Sequence, residues 1–195
     1  MKRIIKILIL LIILVIIQCV NSIKLLNNNK NNYCYIKSVS CILSLTLINF
    51  NQDVYALDNK LVNLDNNKIA SIVTDDIIKR QALITADFTR DIYNENCKFQ
   101  DEIDTYEINQ YIKGTKALFN AEKSHVDLIG NVEADKDFVK FAFSEKLTFN
   151  IPFSPAVELT GKVKLTRDPE NGLINYSREY WDQSVNKVLS TVKFQ

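Results

Sequence analysis

The order of hydrophobic patterns in the second part of the chain predicts an α+β fold. Over residues 66–119, apolar residues recur mainly with the spacing of amphipathic helices, and one short strand-like segment interrupts them. From His125 onward, apolar and polar residues alternate, which is typical of strands with one buried face. A run of helices followed by a run of strands favours helices gathered on one face of a sheet. We therefore expect N-terminal helices packed on a curved antiparallel sheet.

Four segments make up the first part of this pattern. Residues 66–83 form an amphipathic helix with residues 74–76 on its polar face, and residues 87–93 form a short second helix. Residues 97–101 alternate as a strand that sends Cys97, Phe99 and Asp101 to one side. Residues 107–119 return to helical spacing, with Tyr111 on the apolar face.

Four long antiparallel strands and a terminal helix follow. The strands begin at His125, Val139, Val157 and Leu173, and residues 168–172 read as a turn before the last one. The final amphipathic segment, residues 185–194, is expected to be helical.

Composition places the chain among ordinary globular proteins and excludes one function class. It has 195 residues, 47% of them hydrophobic, and a net charge of +1 from 24 basic and 23 acidic residues. This size suffices for one domain with its own core. A nearly neutral chain lacks the large basic surface of a nucleic-acid binder, so no nucleic-acid partner is expected.

The N-terminal 56 residues differ from the rest and indicate targeting. Residues 1–22 combine basic residues with an apolar run of signal-peptide length, and residues 23–38 are acid-free and rich in Asn and Lys. Residues 39–56 repeat a hydrophobic core that ends in a cleavage-like Val54-Tyr55-Ala56. The order predicts a signal peptide, a transit-like segment and a thylakoid-type second signal, followed by a domain at 57–195.

These three targeting-like segments predict that the protein is located in the thylakoid lumen of a complex plastid. A secreted protein, or one anchored to a membrane by an uncleaved leader, is the alternative. Three of the four cysteines lie in the leader, so the domain would keep Cys97 alone and form no internal disulfide. His125 is the single histidine, which excludes a multi-histidine zinc site. We expect neither a metal nor a cofactor.

Short motifs carry a resemblance to a known superfamily. They are DFTRDIY at 87–93, CKFQD at 97–101, and GLI at 172–174 leading to EYWD at 179–182. Together they resemble the nuclear transport factor 2-like (NTF2-like, or SnoaL-like) superfamily. More narrowly, they are similar to an uncharacterised domain family of plastids and cyanobacteria. This sequence departs from that family at Glu102, where the family pattern has a proline after the aspartate. The resemblance covers Ile78 to the C-terminus and implies a cone in which helices close over a pocket.

Two carboxylates are candidates for pocket chemistry. Asp101 shares the side of Phe99, so it is either a general base inside the cone or a cap of the following turn. Glu145 interrupts the apolar face of its strand, and a buried carboxylate is costly unless it is paired. It is therefore either a pocket acid or a charge displaced by a bulge or paired with a basic residue. The expected pocket-lining residues are Phe99, Tyr111, Phe141, Phe143, Glu179 and Trp181.

Two function classes follow from this sequence. The first is a non-catalytic domain that binds a small apolar ligand or a plastid protein partner, which the lack of histidine chemistry favours. The second is a cofactor-free isomerase or dehydratase that uses Asp101 or Glu145 for proton transfer. Two titratable side chains converging in a closed apolar pocket would favour the second class. The sequence leaves open the ligand, a homodimer, and which face of the last strand lines the pocket.

Overall fold

The computed structural model describes residues 60–194. The predicted signal peptide, transit-like segment and second signal lie outside these residues. Within the described part, no helix combines the length and hydrophobicity that crossing a membrane requires.

The described chain forms helices packed on one six-stranded sheet. The strands are arranged in the order β2-β1-β6-β5-β4-β3, and the sheet is curved and does not close on itself. Neighbours are antiparallel except β1 and β6, which run parallel. The predicted α+β fold is thus confirmed. In chain order the elements are α1 (Asn66–Ile78), α2 (Ala82–Thr85), a 3₁₀ turn (Arg90–Ile92), β1 (Tyr93–Gln100), β2 (Thr105–Glu107), α3 (Ile108–Leu118), β3 (His125–Ala134), β4 (Phe138–Thr148), β5 (Ala156–Arg167), β6 (Ile174–Trp181) and α4 (Val185–Ser190).

The first predicted helix ends earlier than its apolar pattern suggests. Asp65 caps α1 by accepting a hydrogen bond from the Lys68 N–H at 2.9 Å. Gln81 breaks the helix, since its φ of 56° lies in the left-handed region. The Gln81 side-chain amide bonds both backbone groups of Val126 in β3, at 2.7 and 3.0 Å. The long-range contact outweighs the local helical pattern and ties α1 to the sheet.

The second predicted helix, 87–93, is wrong. Only Arg90–Ile92 forms a 3₁₀ turn, and Tyr93 already belongs to β1. The chain is held in this path by Asp76, which accepts hydrogen bonds from the backbone and hydroxyl of Thr89, both at 2.8 Å. The expected C-terminal helix is also shorter than predicted, because Lys193 pairs as a β-bridge with Ala156.

The sheet register settles which residues share the face toward the helices. Across β4, β5 and β6, Phe141 pairs with Val163 and Val163 with Glu179. The next row on the same face contains Phe143, Gly161 and Trp181. The face of β6 that was left open in the sequence is therefore the one with Glu179 and Trp181.

Candidate functional site

A cavity lies between the helices and the inner face of the sheet. Its volume, counted as the space that the centre of a water molecule can occupy, is about 40 Å³. Aliphatic walls come from α1 and β5, including Val73, Ile77, Val163 and Leu165. Since one water needs roughly 10–15 Å³ by this measure, the space holds about three water-sized groups.

Four aromatic rings form one connected wall of this cavity. Tyr111 of α3 stacks on Phe99 of β1 with ring centroids 4.2 Å apart and planes 15° apart. Phe99 also stacks on Tyr93 at 5.7 Å, and Phe88 lies 4.8 Å from Tyr93 and 5.6 Å from Phe99. We call Phe88, Tyr93, Phe99 and Tyr111 the aromatic wall. Burial raises the pKa of the Tyr111 hydroxyl well above its usual value, and the charges of Glu179, Glu145 and Asp101 raise it further.

Glu179 is the ionisable side chain of β6 that lines the cavity. Its Oε1 accepts a 2.5 Å hydrogen bond from the indole Nε1–H of Trp181. Loss of solvent contact nevertheless raises the pKa of Glu179 to about 7, against the lowering effect of the indole. This carboxylate can therefore hold or release a proton near neutral pH.

Glu145 is buried on the same sheet face, as its position on an otherwise apolar strand predicted. Only 6% of the residue is exposed. Within residues 60–194, no donor or basic group is found at its carboxylate, and β4 pairs with β5 there without a register shift, so neither the bulge nor the basic partner considered from the sequence is present. No fully buried side-chain oxygen of these residues lacks a hydrogen-bond partner, so the Glu145 carboxylate keeps a small contact with solvent. Burial and then the charge of Glu179 raise the pKa of Glu145 well above its usual value.

Asp101 lines the cavity and also caps the turn that follows β1. Its Oδ1 accepts hydrogen bonds from the backbone N–H groups of Ile103 and Asp104, at 2.7 and 2.8 Å. Burial raises the pKa of Asp101, while these two bonds lower it. The turn cap considered from the sequence is therefore found at Asp101, while its use as a general base stays a prediction. The turn also closes without the proline of the related pattern, since Glu102 forms an ion pair with Arg178 at 2.7 Å.

Asp76 is a cavity carboxylate that the sequence pattern misplaced. The helical pattern put it on the polar face of α1, whereas the residue is 2% exposed and lines the cavity. It is compensated by the two bonds from Thr89 and by Arg80 at 3.4 Å. Its burial raises the pKa all the same. A carboxylate one turn before a basic residue is common on exposed helices, so the sequence carries no signal for this burial.

The remaining candidates divide between the cavity and the core. Phe99, Tyr111 and Phe141 line the cavity as expected, whereas Phe143 is fully buried beside it. Trp181 is half-buried and contacts the site through Glu179. Among residues 60–194, no cluster of three or more His, Cys, Asp or Glu side chains is arranged to hold a metal ion.

Several solved structures are similar to this fold. A protein described as a SnoaL-like polyketide cyclase from Jannaschia sp. CCS1 is 14% identical, with a TM-score of 0.48, and the match covers 72% of this chain and 96% of that one. An LEH-like epoxide hydrolase from M. tuberculosis is 14% identical, with a TM-score of 0.46 over 65% and 92% of the two chains. An NTF2-like protein from Burkholderia thailandensis E264 is 13% identical, with a TM-score of 0.45 over 65% and 96%. These low identities and TM-scores transfer no activity to this chain.

No protein-family model matches the sequence, and no curated protein matches it significantly.

Proposed function

We propose that this domain binds a small, largely apolar molecule in the cavity between its helices and its sheet, without covalent chemistry. The observation that supports this most is the cavity itself, walled by four aromatic rings and aliphatic side chains with a few carboxylates. An apolar space with few polar groups is the usual form of a small-molecule site.

The charges around the cavity favour binding over carbanion chemistry. The described lining residues include Asp76, Asp101 and Glu179, and none is Lys, Arg or His. Abstraction of a carbon-bound proton leaves an oxyanion, which enzymes stabilise with positive charge or oriented donors. The described lining offers neutral donors for it, such as the Tyr93 and Tyr111 hydroxyls, but no positive charge, and any lining carboxylate in its ionised form would repel it. A bound molecule that gains no negative charge fits this cavity better.

A cavity-filling variant tests this proposal. Ser177 is 7% exposed and lines the cavity, so Ser177→Leu should fill the space, whereas Ser71→Leu on the exposed side of α1 is the matched control. The thermal unfolding temperature of the full chain is measured against increasing n-butanol, whose hydroxyl and first carbons fit the space. We expect a saturable rise in the parent and in Ser71→Leu, which is absent in Ser177→Leu. A response that is absent in all three proteins, or equal in all three, would contradict binding in the cavity.

A cofactor-free isomerase or dehydratase is the second candidate, and one observation favours it. Glu179 lines the cavity with a pKa raised to about 7, and Glu145 lies on the same inner face, close enough for the charge of Glu179 to raise its pKa. In this case Glu179 would be the general base. The test is a screen of isomerase and dehydratase substrates with the parent and Glu179→Gln. Turnover by the parent that falls about 10²-fold or more in the folded variant would favour the enzyme over the binding domain.

We further propose that this protein is carried into a plastid and that its domain belongs to the plastid and cyanobacterial family. The tripartite order of residues 1–56 supports the route, and the three quoted motifs support the family. A protein partner in the plastid, or a second copy of this chain, is compatible with the same domain. N-terminal sequencing of the native protein should begin near Leu57. A start near Ile23, or a retained Met1, would contradict the lumenal location.

A further inference from the structure

The carboxylates near the cavity differ in how fully the protein compensates them. Asp76 is held by Thr89 and Arg80, and Asp101 by two backbone N–H groups. These two side chains therefore have partners that account for their burial.

Fewer partners offset the charges of Glu179 and Glu145 than those of Asp76 and Asp101. Glu179 receives one neutral donor, the indole of Trp181. The adjacent Arg178 has its guanidinium on Glu102 and over the ring of Tyr180, 4.5 Å from the centroid. Glu145 is more than nine-tenths buried, and among residues 60–194 no donor or basic group offsets its charge. The cavity lining itself holds Asp76, Asp101 and Glu179 and no Lys, Arg or His, so it favours a ligand that brings positive charge.

The aromatic wall favours the same kind of ligand. Ring faces carry partial negative charge and attract cations that lie within about 6 Å of the ring centre. Phe99 and Tyr111 line the cavity together with Glu179 and stack on each other, so each ring has at most one face left for a cation. Val163 and Leu165 offer hydrocarbon surface. The combination of carboxylate, aromatic faces and aliphatic wall matches an organic cation with an apolar body.

We propose that the ligand of this cavity is a small primary alkylammonium ion, paired with Glu179, with Glu145 on the same sheet face as a second counter-charge. This inference rests on the proposed binding function and names its ligand class. A metal ion fits less well, because the carboxylates of the described residues do not form a metal-binding cluster and Mg²⁺ or Ca²⁺ takes six or more oxygen ligands. The space takes the ammonium head and about two carbons of such an ion, and the rest of a longer alkyl chain would lie in the open mouth of the cavity.

The test compares three probes of equal length and different charge. They are n-butylamine hydrochloride, n-butanol and sodium butyrate, titrated by calorimetry into the full chain at pH 8 and matched ionic strength. We expect butylammonium to bind at least tenfold more tightly than butanol, and butyrate not to bind. Ser177→Leu should remove the butylammonium signal, which places the probe in the cavity.

Carboxamide variants identify the counter-charges. Glu179→Gln should weaken butylammonium binding at least tenfold and Glu145→Gln severalfold, with butanol affinity unchanged. Glu158→Gln is the matched control, since this exposed residue lies on the outer face of β5 and pairs with Lys193. Thermal unfolding of each variant confirms that it is folded.

The outcomes separate this inference from the proposed function. Equal affinity for butylammonium and butanol, or full butylammonium affinity in Glu179→Gln, would overturn the ammonium ligand while leaving binding of an apolar molecule intact. Failure of both probes to bind would overturn both proposals.

Discussion

The indole Nε1–H of Trp181 donates a 2.5 Å hydrogen bond to Oε1 of Glu179, two residues earlier on the same face of β6. Residues two apart on a strand point to the same side, so this bond follows from the strand itself. It holds the carboxylate at the edge of the cavity and favours its ionised form. It therefore links the position of Glu179 to its protonation.

Replacing Trp181 with Phe should raise the pKa of Glu179 above about 7. The variant keeps an aromatic ring but removes the donor that favours the carboxylate. The measurement is a pH titration of the glutamate carboxyl ¹³C resonances, with Glu179 assigned by its loss in Glu179→Gln. An unchanged or lower pKa in Trp181→Phe would show that the indole does not stabilise the ionised form.

The burial of Glu179 should make stability depend on pH. Its carboxyl titrates near 4.5 when unfolded and near 7 when folded, so the folded state holds the proton more tightly. The parent's free energy of unfolding should thus fall, relative to Glu179→Gln, as pH rises from about 4.5 through 7. A shift of this size corresponds to at most about 3 kcal/mol.

Chemical denaturation of both proteins across this pH range measures that difference, with Glu158→Gln as the exposed control. A difference between the parent and Glu179→Gln that stays constant with pH would contradict the raised pKa.

Removing the charge of Glu145 should not weaken the fold. Glu145→Gln keeps the shape of an uncompensated buried side chain and removes the cost of ionising it. We expect the unfolding temperature at pH 8 to hold or rise. A clear fall would reveal that the carboxylate is paired with a basic group.

The cap at Asp101 predicts a contrast between two substitutions. Asp101→Asn keeps an oxygen that can accept from the N–H groups of Ile103 and Asp104, whereas Asp101→Ala leaves both without this partner. We expect the Ala variant to lose about 1–2 kcal/mol of stability and the Asn variant distinctly less. Equal losses by urea denaturation would show that the oxygen does not act as a cap.

The sheet could be predicted from sequence because its signals are local. In β4 and β5, alternation predicts both the strands and their buried faces, and it correctly singles out Glu145 as an inward carboxylate. The inward face of β6 follows only from the register with β5. The motif around Phe99 likewise indicates the wall to which Tyr111 contributes.

The missed features depend on partners distant in sequence. The amide of Gln81 ends α1 because it bonds Val126, 45 positions away, and Asp76 is buried because Thr89 folds back onto it. The parallel pairing of β1 with β6 joins segments about 80 residues apart, and no local pattern encodes it. The sequence could therefore name Asp101, Glu145 and Glu179, but it could not place Asp76 in the cavity or show which carboxylates have partners.

Arg167 is another such long-range partner and predicts a large loss of stability. This arginine is 6% exposed at the end of β5, and its guanidinium donates to the backbone of Leu64, Asp135 and Gly172 at 2.6, 2.7 and 3.2 Å. Arg167→Met should cost about 3 kcal/mol or more, because several buried carbonyls lose a charged donor. Lys162→Met, on the exposed face of the same strand, should stay within about 0.5 kcal/mol of the parent by urea denaturation. Similar losses in both variants would contradict this function of Arg167.

The most direct test of the account is to locate a bound alkylammonium ion by methyl NMR. The full chain, with ¹³C-labelled Ile, Leu and Val methyl groups, is titrated with n-butylamine hydrochloride at constant ionic strength. Methyl resonances of the cavity residues Val73, Val163 and Leu165 should shift and saturate with one dissociation constant, while those of the exposed Val62 and Ile129 stay unchanged. Shifts confined to exposed methyl groups, or shifts that grow without saturation, would contradict a ligand site between the helices and the sheet.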